Sequence, residues 1–415
     1  MKKWHEYRWL QDQIGATVIT VVLVLTFLIG VVAFALNIGY RHVTRNELQN
    51  IADGAALAAA RQLGVLYQGM TYEEQQVYNP NNNGDAVLIR NVAQDVGLSN
   101  EAASKSIVIV AADILIGRWS PSQPPEIRFT TPDPLLRPNA VRVTARRETG
   151  FGNNDPISTF FSWAIGVEEI GVRATAIAAL TGQSTSEPGE LELPIGISKA
   201  WFDTNPGEVC GDQIKFSPTV DPDACGGWTS WDYGANDVTL RRILDGEEDY
   251  LSPGTVAGDS IFNFIGGDLS TVTFDALLSL FQRQGSDVDL MGDWIYDGLG
   301  NQIQFASEAE GGVPLYESDG VTPLLYPDGS ERNKHAWETG VVVYAPTDGS
   351  EPNCDNVNQS QKIVGFARVK LTDVLGPPDK LILGFIECDS FDQADSRGGG
   401  GEAFGLMGSI PGLVL

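Results

Sequence analysis

The sequence predicts an α+β protein: a long N-terminal transmembrane helix that continues into a helix-plus-sheet unit, followed by a second, mainly β exported domain. Three observations carry that reading. Ala16–Leu36 is apolar apart from Thr17, Thr20 and Thr26 and holds no charge, enough for one helix to cross a bilayer with its backbone bonded internally. Behind it, Leu48, Ile51, Ala52, Ala55 and Ala59 recur at three- and four-residue spacing, which places them on one helix face. Further on, Ala140–Ala145 and Val172–Leu180 alternate with the period of a half-buried strand.

Taken in order, residues 1–14 form a cytosolic lead too short to fold. Residues 15–64 form the transmembrane and continuing amphipathic helix, with no Pro to interrupt it. At about 1.5 Å per residue it spans roughly 75 Å. A cleaved secretory signal is the competing reading; the apolar run is long for one, and no small-residue cleavage site is clearly placed. Lys2, Lys3 and Arg8 precede the span and Arg41 and Arg45 follow it. That small excess of basic residues sets the N-terminus inside and exports the bulk of the chain.

Residues 65–180 form an α+β unit with the helix. The segment YNPNNNGD (78–85) reads as a loop on its Asn, Pro and Gly content. Glu101–Ala112 reads as a helix, and Ile127–Phe129, Ala140–Ala145 and Val172–Leu180 as strands, with FFSWAIG (160–166) before the last. Residues 181–190, TGQSTSEPGE, are a polar linker.

Residues 191–390 form the β-rich exported domain. Asn236 or Asp237 caps a short helix whose face is Leu240, Ile243 and Leu244 and which Gly246 stops. Trp228 and Trp231 read as core residues, with a ligand-binding aromatic pair as the alternative. Phe274–Arg283 forms a second helix, and Gly340–Tyr344, Ile363–Leu371 and Leu381–Ile386 form antiparallel strands. In the middle strand the apolar spacing slips between Phe366 and Val369. Residues 391–415 are a Gly- and Asp-rich tail with an apolar end. Leu406–Leu415 is too short to span a membrane, so it packs back on the domain or meets a partner.

The chain of 415 residues has a formal net charge of −27, and residues beyond 64 carry 21 basic and 50 acidic groups. Such a surface repels nucleic acid and anionic headgroups. The four cysteines, Cys210, Cys225, Cys354 and Cys388, all follow the anchor, and an even count in an exported domain points to disulfides. Of three possible pairings, Cys210–Cys225 and Cys354–Cys388 each close a local segment. Four buried thiols are the alternative, and a zinc site lacks the tight C-x-x-C pair it needs.

The run GATVITVVLVLTFLIGVVAFALNIGYRHVTRNELQNIADGAALAAARQLG (15–64) resembles the N-terminal segment of TadE/TadG-like proteins of the tight-adherence (Flp) pilus assembly systems. In that family a Gly-Ala opens the transmembrane helix and a stretch of the form LQ-x-AADAAALAAA closes it; Leu48–Ala60 fits the closing stretch. The likeness is strong over residues 12–64, and a weaker likeness to the larger TadG-like members continues beyond. It implies a pilin-like arrangement, a long helix covered by a small sheet. Prepilin-type precursors carry Glu five residues after the processing Gly; counted from Gly15, that position is Thr20. This departure points to an envelope-anchored assembly protein rather than a major filament subunit.

Residues for chemistry are sparse. His5, His42 and His335 are the only histidines, and no GxSxG, GxxxxGK[ST] or HExxH motif is present. The DxSxS metal motif of larger TadG-type chains is also missing. No catalytic, cofactor-binding or metal residue is assigned and no cofactor is expected. The expected role is a non-enzymatic, single-pass component of a Tad/Flp-type system in the bacterial inner membrane. Its expected partners are the lipid bilayer and, through the N-terminal helix, pilin-like or Tad assembly subunits, with no nucleic acid. The competing reading is a membrane-tethered binding module or adhesin for calcium, glycan or protein.

Two outcomes are expected. Val24→Arg or Leu28→Asp places a charge at mid-bilayer, at about 2.5–3.5 kcal/mol on the insertion scale, and loses stable membrane fractionation. Alkylation before non-reducing electrophoresis finds no free thiol in the exported protein, and peptide mapping links Cys210 to Cys225.

Overall fold

The computed structural model describes residues 6–121, 123–152, 154–162, 166–204, 213–215, 226–266, 269–287, 335–351, 359–375, 381–387, 390–391, 396–399 and 404–414. All four cysteines, and with them both expected disulfides, lie outside the described residues. The fold is α+β: one long helix, a five-stranded sheet laid on it, and a second, eight-stranded sheet beyond.

Helix α1 runs unbroken from Glu6 to Gln68, 63 residues, about 95 Å at ~1.5 Å per residue. It begins within the segment expected as an unstructured lead and continues past Gly64, where the sequence suggested an end. Gly64 serves packing rather than termination: a Cβ there would lie 2.1 Å from the Ser409 carbonyl oxygen. A short helix α2 (Tyr72–Val77) follows. It starts at a capping box in which Glu74 N–H donates to Thr71 Oγ1 and Thr71 N–H donates to the Glu74 carboxylate.

Two local expectations change here. The 78–85 segment contains a helical turn, Pro80–Asn83, capped by Asn79, and leads into helix α3 (Asp85–Leu98). The helix expected over 101–112 is instead a tight hairpin, Glu101–Ala102 against Lys105–Ser106, with Ala103 and Ser104 at φ 51° and 57°. The buried positions explain both. Ala86, Ile89, Ala93 and Gly97 are spaced for a helix, whereas Ile107 and Ile109 are buried two apart, as in extended chain. At Gly97 the chain turns back so closely that a Cβ would meet Ile107 O at 2.6 Å.

The first sheet is antiparallel: β1 (Ile114–Trp119), β2 (Ala140–Arg147) and β3 (Val172–Ala179), in spatial order Gly412–Val414, β3, β2, β1, Phe129–Thr130. Its alternation matches the sequence. Val141, Val143 and Ala145 on β2 and Val172, Ala174, Ala176 and Ala178 on β3 are buried, while Arg173 and Thr175 face water. The outer edge strand comes from the extreme C-terminal part, with Leu413 opposite Ala178. The apolar end therefore packs back on the chain's own first unit.

The second sheet contains β4 (Ile195–Ser198), β5 (Gly226–Thr229), β6 (Ile261–Ile265), β7 (His335–Pro346), β8 (Ser360–Leu375) and β9 (Leu381–Glu387). The pairings β8–β6–β5–β4–β7–β8 close on themselves, and β4–β7 is the parallel pair. Phe262, Phe264, Val342, Tyr344, Ile363 and Phe366 form one buried cluster of this ring. Gly196 and Gly227 make room for it, since a Cβ on either would come within 2.9 Å of the Phe264 ring. The opposite faces, with Ile195, Ile197, Trp228, Val341, Val343, Ala367 and Val369, pack with helices α4 (Asp237–Asp245) and α5 (Thr271–Gln284).

This two-sided burial accounts for the spacing slip in β8, where Phe366 faces one cluster and Ala367 and Val369 the other. The register also skips at Val364: Val343 pairs with Gly365 and Tyr344 with Ile363, a bulge that keeps Ile363 and Phe366 on one side. Helix α4 is capped as its sequence predicts. Asn236 Oδ1 accepts from Thr239 N–H at 2.9 Å, and Gly246 ends the helix at φ 76°. Trp228 and Trp231 are both buried in the core.

Residues 181–190 join the two sheets and are themselves held. Thr181, Gln183 and Ser186 are buried. Gln183 N–H donates to Leu406 O at 3.1 Å, Ser184 N–H donates to Arg397 O at 2.7 Å, and Thr185–Ser186 pairs with Thr255–Val256.

Candidate functional site

Among the described residues no group of three or more His, Cys, Asp or Glu side chains is arranged to hold a metal ion. Among the described residues a largely buried charged cluster lies across β7, β8 and β9. Arg368 Nη2 is 2.7 Å from Glu338 and Nε is 2.9 Å from Glu387, and Lys370 Nζ is 3.2 Å from Glu338. Burial works against the Glu338 charge, but Arg368 and Lys370 outweigh it and hold the carboxyl below its ordinary range. Two cations and two anions thus neutralise one another inside the sheet, and a carboxylate held this low is a poor general acid at neutral pH.

The feature that organises the molecule is α1, which passes through three environments. From Val18 to Leu36 its large apolar side chains other than Ile29 are about half or more exposed, while Ala33 on the Ile29 face is buried. Within this run Thr26 returns its hydroxyl proton to Val22 O at 2.8 Å, which spares it an unpaired group in an apolar medium. Among the described residues it is the one helix long and apolar enough to cross a membrane.

The second zone is a collar at Asn37, which is buried. Its Nδ2 donates to Phe160 O at 3.0 Å and its Oδ1 accepts from Phe160 N–H at 2.7 Å, so the side-chain amide imitates a strand neighbour. Tyr40, one turn on, meets the Phe160 ring edge-on at 5.4 Å.

The third zone is the small-residue face. Leu48, Ile51, Ala52, Ala55 and Ala59 are all buried, together with Ala56, Ala60 and Leu63. They form one cluster with Val141, Val143, Ala174, Ala176 and Ala178 of the sheet and Ile89 and Ala93 of α3. The cover comes from this chain. Short side chains on both sides let helix and sheet approach closely, and polar anchors fix the register: Ala103 N–H donates to Glu47 at 2.8 Å, Gln49 Nε2 donates to Thr175 O at 3.3 Å, and Tyr67 OH donates to Pro138 O at 2.8 Å.

The C-terminal part locks the upper end of α1. Arg61 Nη1 donates to Ser409 O and Gln68 Nε2 to Ser409 Oγ, both at 3.0 Å. The Phe391 ring stacks on Tyr67 with centroids 3.7 Å apart. Phe391 N–H donates to Gln75 Oε1 at 2.9 Å, and Gln75 Nε2 returns a bond to Phe391 O at 3.3 Å. The sequence reading did not identify Asn37, Tyr67, Gln75 or α3. Ala86, Ile89 and Ala93 carried a readable helical spacing; the polar contacts pair residues more than 120 positions apart for Asn37 and more than 300 for Gln75, which no local pattern encodes.

Two family models match this region. Residues 15–62 match the Flp pilus-assembly TadE/G-like family, and residues 48–178 match the Tad-like Flp pilus-assembly family. The two overlap over the small-residue face, and the second ends within β3; strands β4–β9 lie beyond both. No curated protein and no solved structure matches the chain.

Ala55→Trp or Ala59→Trp forces an indole into this contact and is expected to destabilise the helix-and-sheet unit by about 1–3 kcal/mol without changing how the full chain partitions into membranes. Thermal unfolding of the full chain in detergent, beside carbonate extraction of membranes, measures the two effects separately.

Proposed function

We propose, for a chain whose residues 15–178 belong to the Flp pilus-assembly families, that the protein is a non-enzymatic, single-pass structural or assembly component of a Tad/Flp-type pilus system. It is anchored in the inner membrane with its bulk exported. The observation that carries this reading is the division of α1. Its first half offers a largely exposed apolar surface and its second half is enclosed by the chain's own sheet and α3.

That division bears on where partners meet the chain. Because the face from Leu48 to Leu63 is already occupied, pilin-like or Tad assembly subunits are left the apolar segment below Asn37. Helices associate there through van der Waals packing rather than a hydrophobic drive. The segment is rich in Val, Leu and Ile, with Gly30 and Ala35 as its accessible small positions. The acidic exterior suits contact with water and cations and disfavours nucleic acid.

The test compares three strains: one lacking the chain, one restored with the natural sequence, and one restored with a chain whose residues 17–36 are replaced by an unrelated apolar span. Loss of surface pili in the first and recovery in the second are expected. The third is expected to insert and fold yet to assemble pili poorly. Normal piliation in the strain lacking the chain overturns the proposal.

A further inference from the structure

We propose that the outer face of the first sheet, at Arg142 and Arg173, docks the acidic turn after α4, at Glu248 and Asp249, of a second copy of this chain. The contact joins two different patches, so it links copies head to tail.

The basic face follows from the alternation of the strands. Val141, Val143 and Ala145 on β2 and Ala174, Ala176 and Ala178 on β3 are buried against α1. Arg142, Thr144 and Arg146 on β2 and Arg173 and Thr175 on β3 therefore lie on the outer face. Arg146 stands directly opposite Arg173, a like-charge pair that costs stability on a sheet face. Arg146 is met within the chain by Asp113 and Glu148. Arg173 is exposed, and Arg142 lies 4.7 Å from the centre of the Phe129 ring. Among the described residues neither of these two meets a carboxylate. Arg142 is level with Ile177, which sets the two cations about 13 Å apart along the strands at ~3.3 Å per residue. The Thr144 and Thr175 hydroxyls, 3.0 Å apart, lie between them.

The same chain carries the opposite charge. Residues 181–415 hold 38 of the 54 acidic residues and 12 of the 27 basic ones, whereas residues 65–180 hold 12 and 9. The negative excess thus belongs to the second unit, and the turn after α4 concentrates it: Asp245, Glu247, Glu248 and Asp249 are all exposed. The turn is held in shape. Tyr250 packs on Tyr233 with ring centroids 5.2 Å apart, and Tyr233 OH donates to Leu251 O at 2.9 Å. Arg242 is 3.9 Å from Glu247, while Glu248 and Asp249 meet no cation among the described residues. Guanidinium and carboxylate are matched for paired, charge-assisted hydrogen bonds.

Both patches adjoin the connection between the sheets. Arg142 is two residues from the end of β2 that pairs with Ala179. Just past Asp249, Gly189 N–H donates to Ser252 O at 2.8 Å, and Thr255–Val256 pairs with Thr185–Ser186. Copies side by side on parallel anchors therefore offer the patches at neighbouring levels, an arrangement that rests on α1 being the anchor. Charges more than about 8 Å apart are largely screened at ~0.15 M ionic strength, so the groups in contact outweigh the net charge of two acidic chains.

Sedimentation velocity of the full chain in detergent micelles, at about 0.15 M salt, tests this. It compares the natural chain, Arg142→Glu with Arg173→Glu, Glu248→Lys with Asp249→Lys, and an equimolar mixture of the two variants. The natural chain is expected to self-associate. Each variant sets like charges against one another and is expected to raise the dissociation constant about tenfold or more. The mixture is expected to recover association, because Glu on one sheet then faces Lys on the other chain's turn and the remaining Arg face meets natural acids. A natural chain that stays monomeric overturns the proposal. So does association that survives both reversals, which places the contact elsewhere, and so does a mixture that fails to recover.

Discussion

The structure depends on one constraint: a single unbroken helix carries two different kinds of surface. Over Val18–Leu36 every side of α1 is apolar, a composition compatible with a membrane span, and over Leu48–Tyr67 only one side is, as a packed protein requires. The change is made by residue size rather than by a break in the helix. Large Val, Leu, Ile and Phe side chains give way to Ala, and Ala lets a sheet come close enough to exclude water from a face of limited area. The sheet answers in kind, since β2 and β3 present Val and Ala inward. Larger residues on both sides would hold the two apart and leave a partly wet interface.

That close contact explains why the two ends of the chain meet. A three-strand cover would leave β3 as an open edge, with unpaired backbone groups beside an apolar face. Gly412–Val414 closes it. Ser409 arrives over Gly64, where a side chain would block it, and accepts the Arg61 guanidinium. The same returning segment pins residues 181–184 and, through Phe391, reaches Tyr67 and Gln75. The helix, the first sheet and the connection to the second sheet are thus tied by contacts that form only after most of the sequence has been laid down.

What could be read from the sequence follows the same line. The α+β class, the apolar span, the small-residue face, β2 and β3, the Asn236-capped helix and the three long strands of the second sheet are local patterns, and each lies near where its pattern placed it. The failures occur where a distant partner decides. Gly64 looks like a helix end until Ser409 is seen above it. Residues 101–112 look helical by composition, but Gly97 packing on Ile107 forces the chain to reverse. The ring closure of β8, β6, β5, β4 and β7 requires one parallel pair and one bulge, neither of which periodicity announces. Asn37 is the clearest case, because a lone amide after an apolar run says nothing until the Phe160 backbone stands opposite it.

The second sheet can be placed in this scheme by how it is joined to the first. A free linker would let the ring swing independently of the helix. Here Thr181, Gln183 and Ser186 are buried, and backbone bonds run from residues 183 and 184 to the returning C-terminal segment and from 185–186 to Thr255–Val256. The ring is therefore joined to β3 and the returning C-terminal segment through several hydrogen bonds in parallel rather than through one strand of chain. Such a connection fixes the position of the ring relative to α1. The buried Glu338–Arg368–Glu387 contacts in turn tie β7, β8 and β9 to one another by charge as well as by backbone.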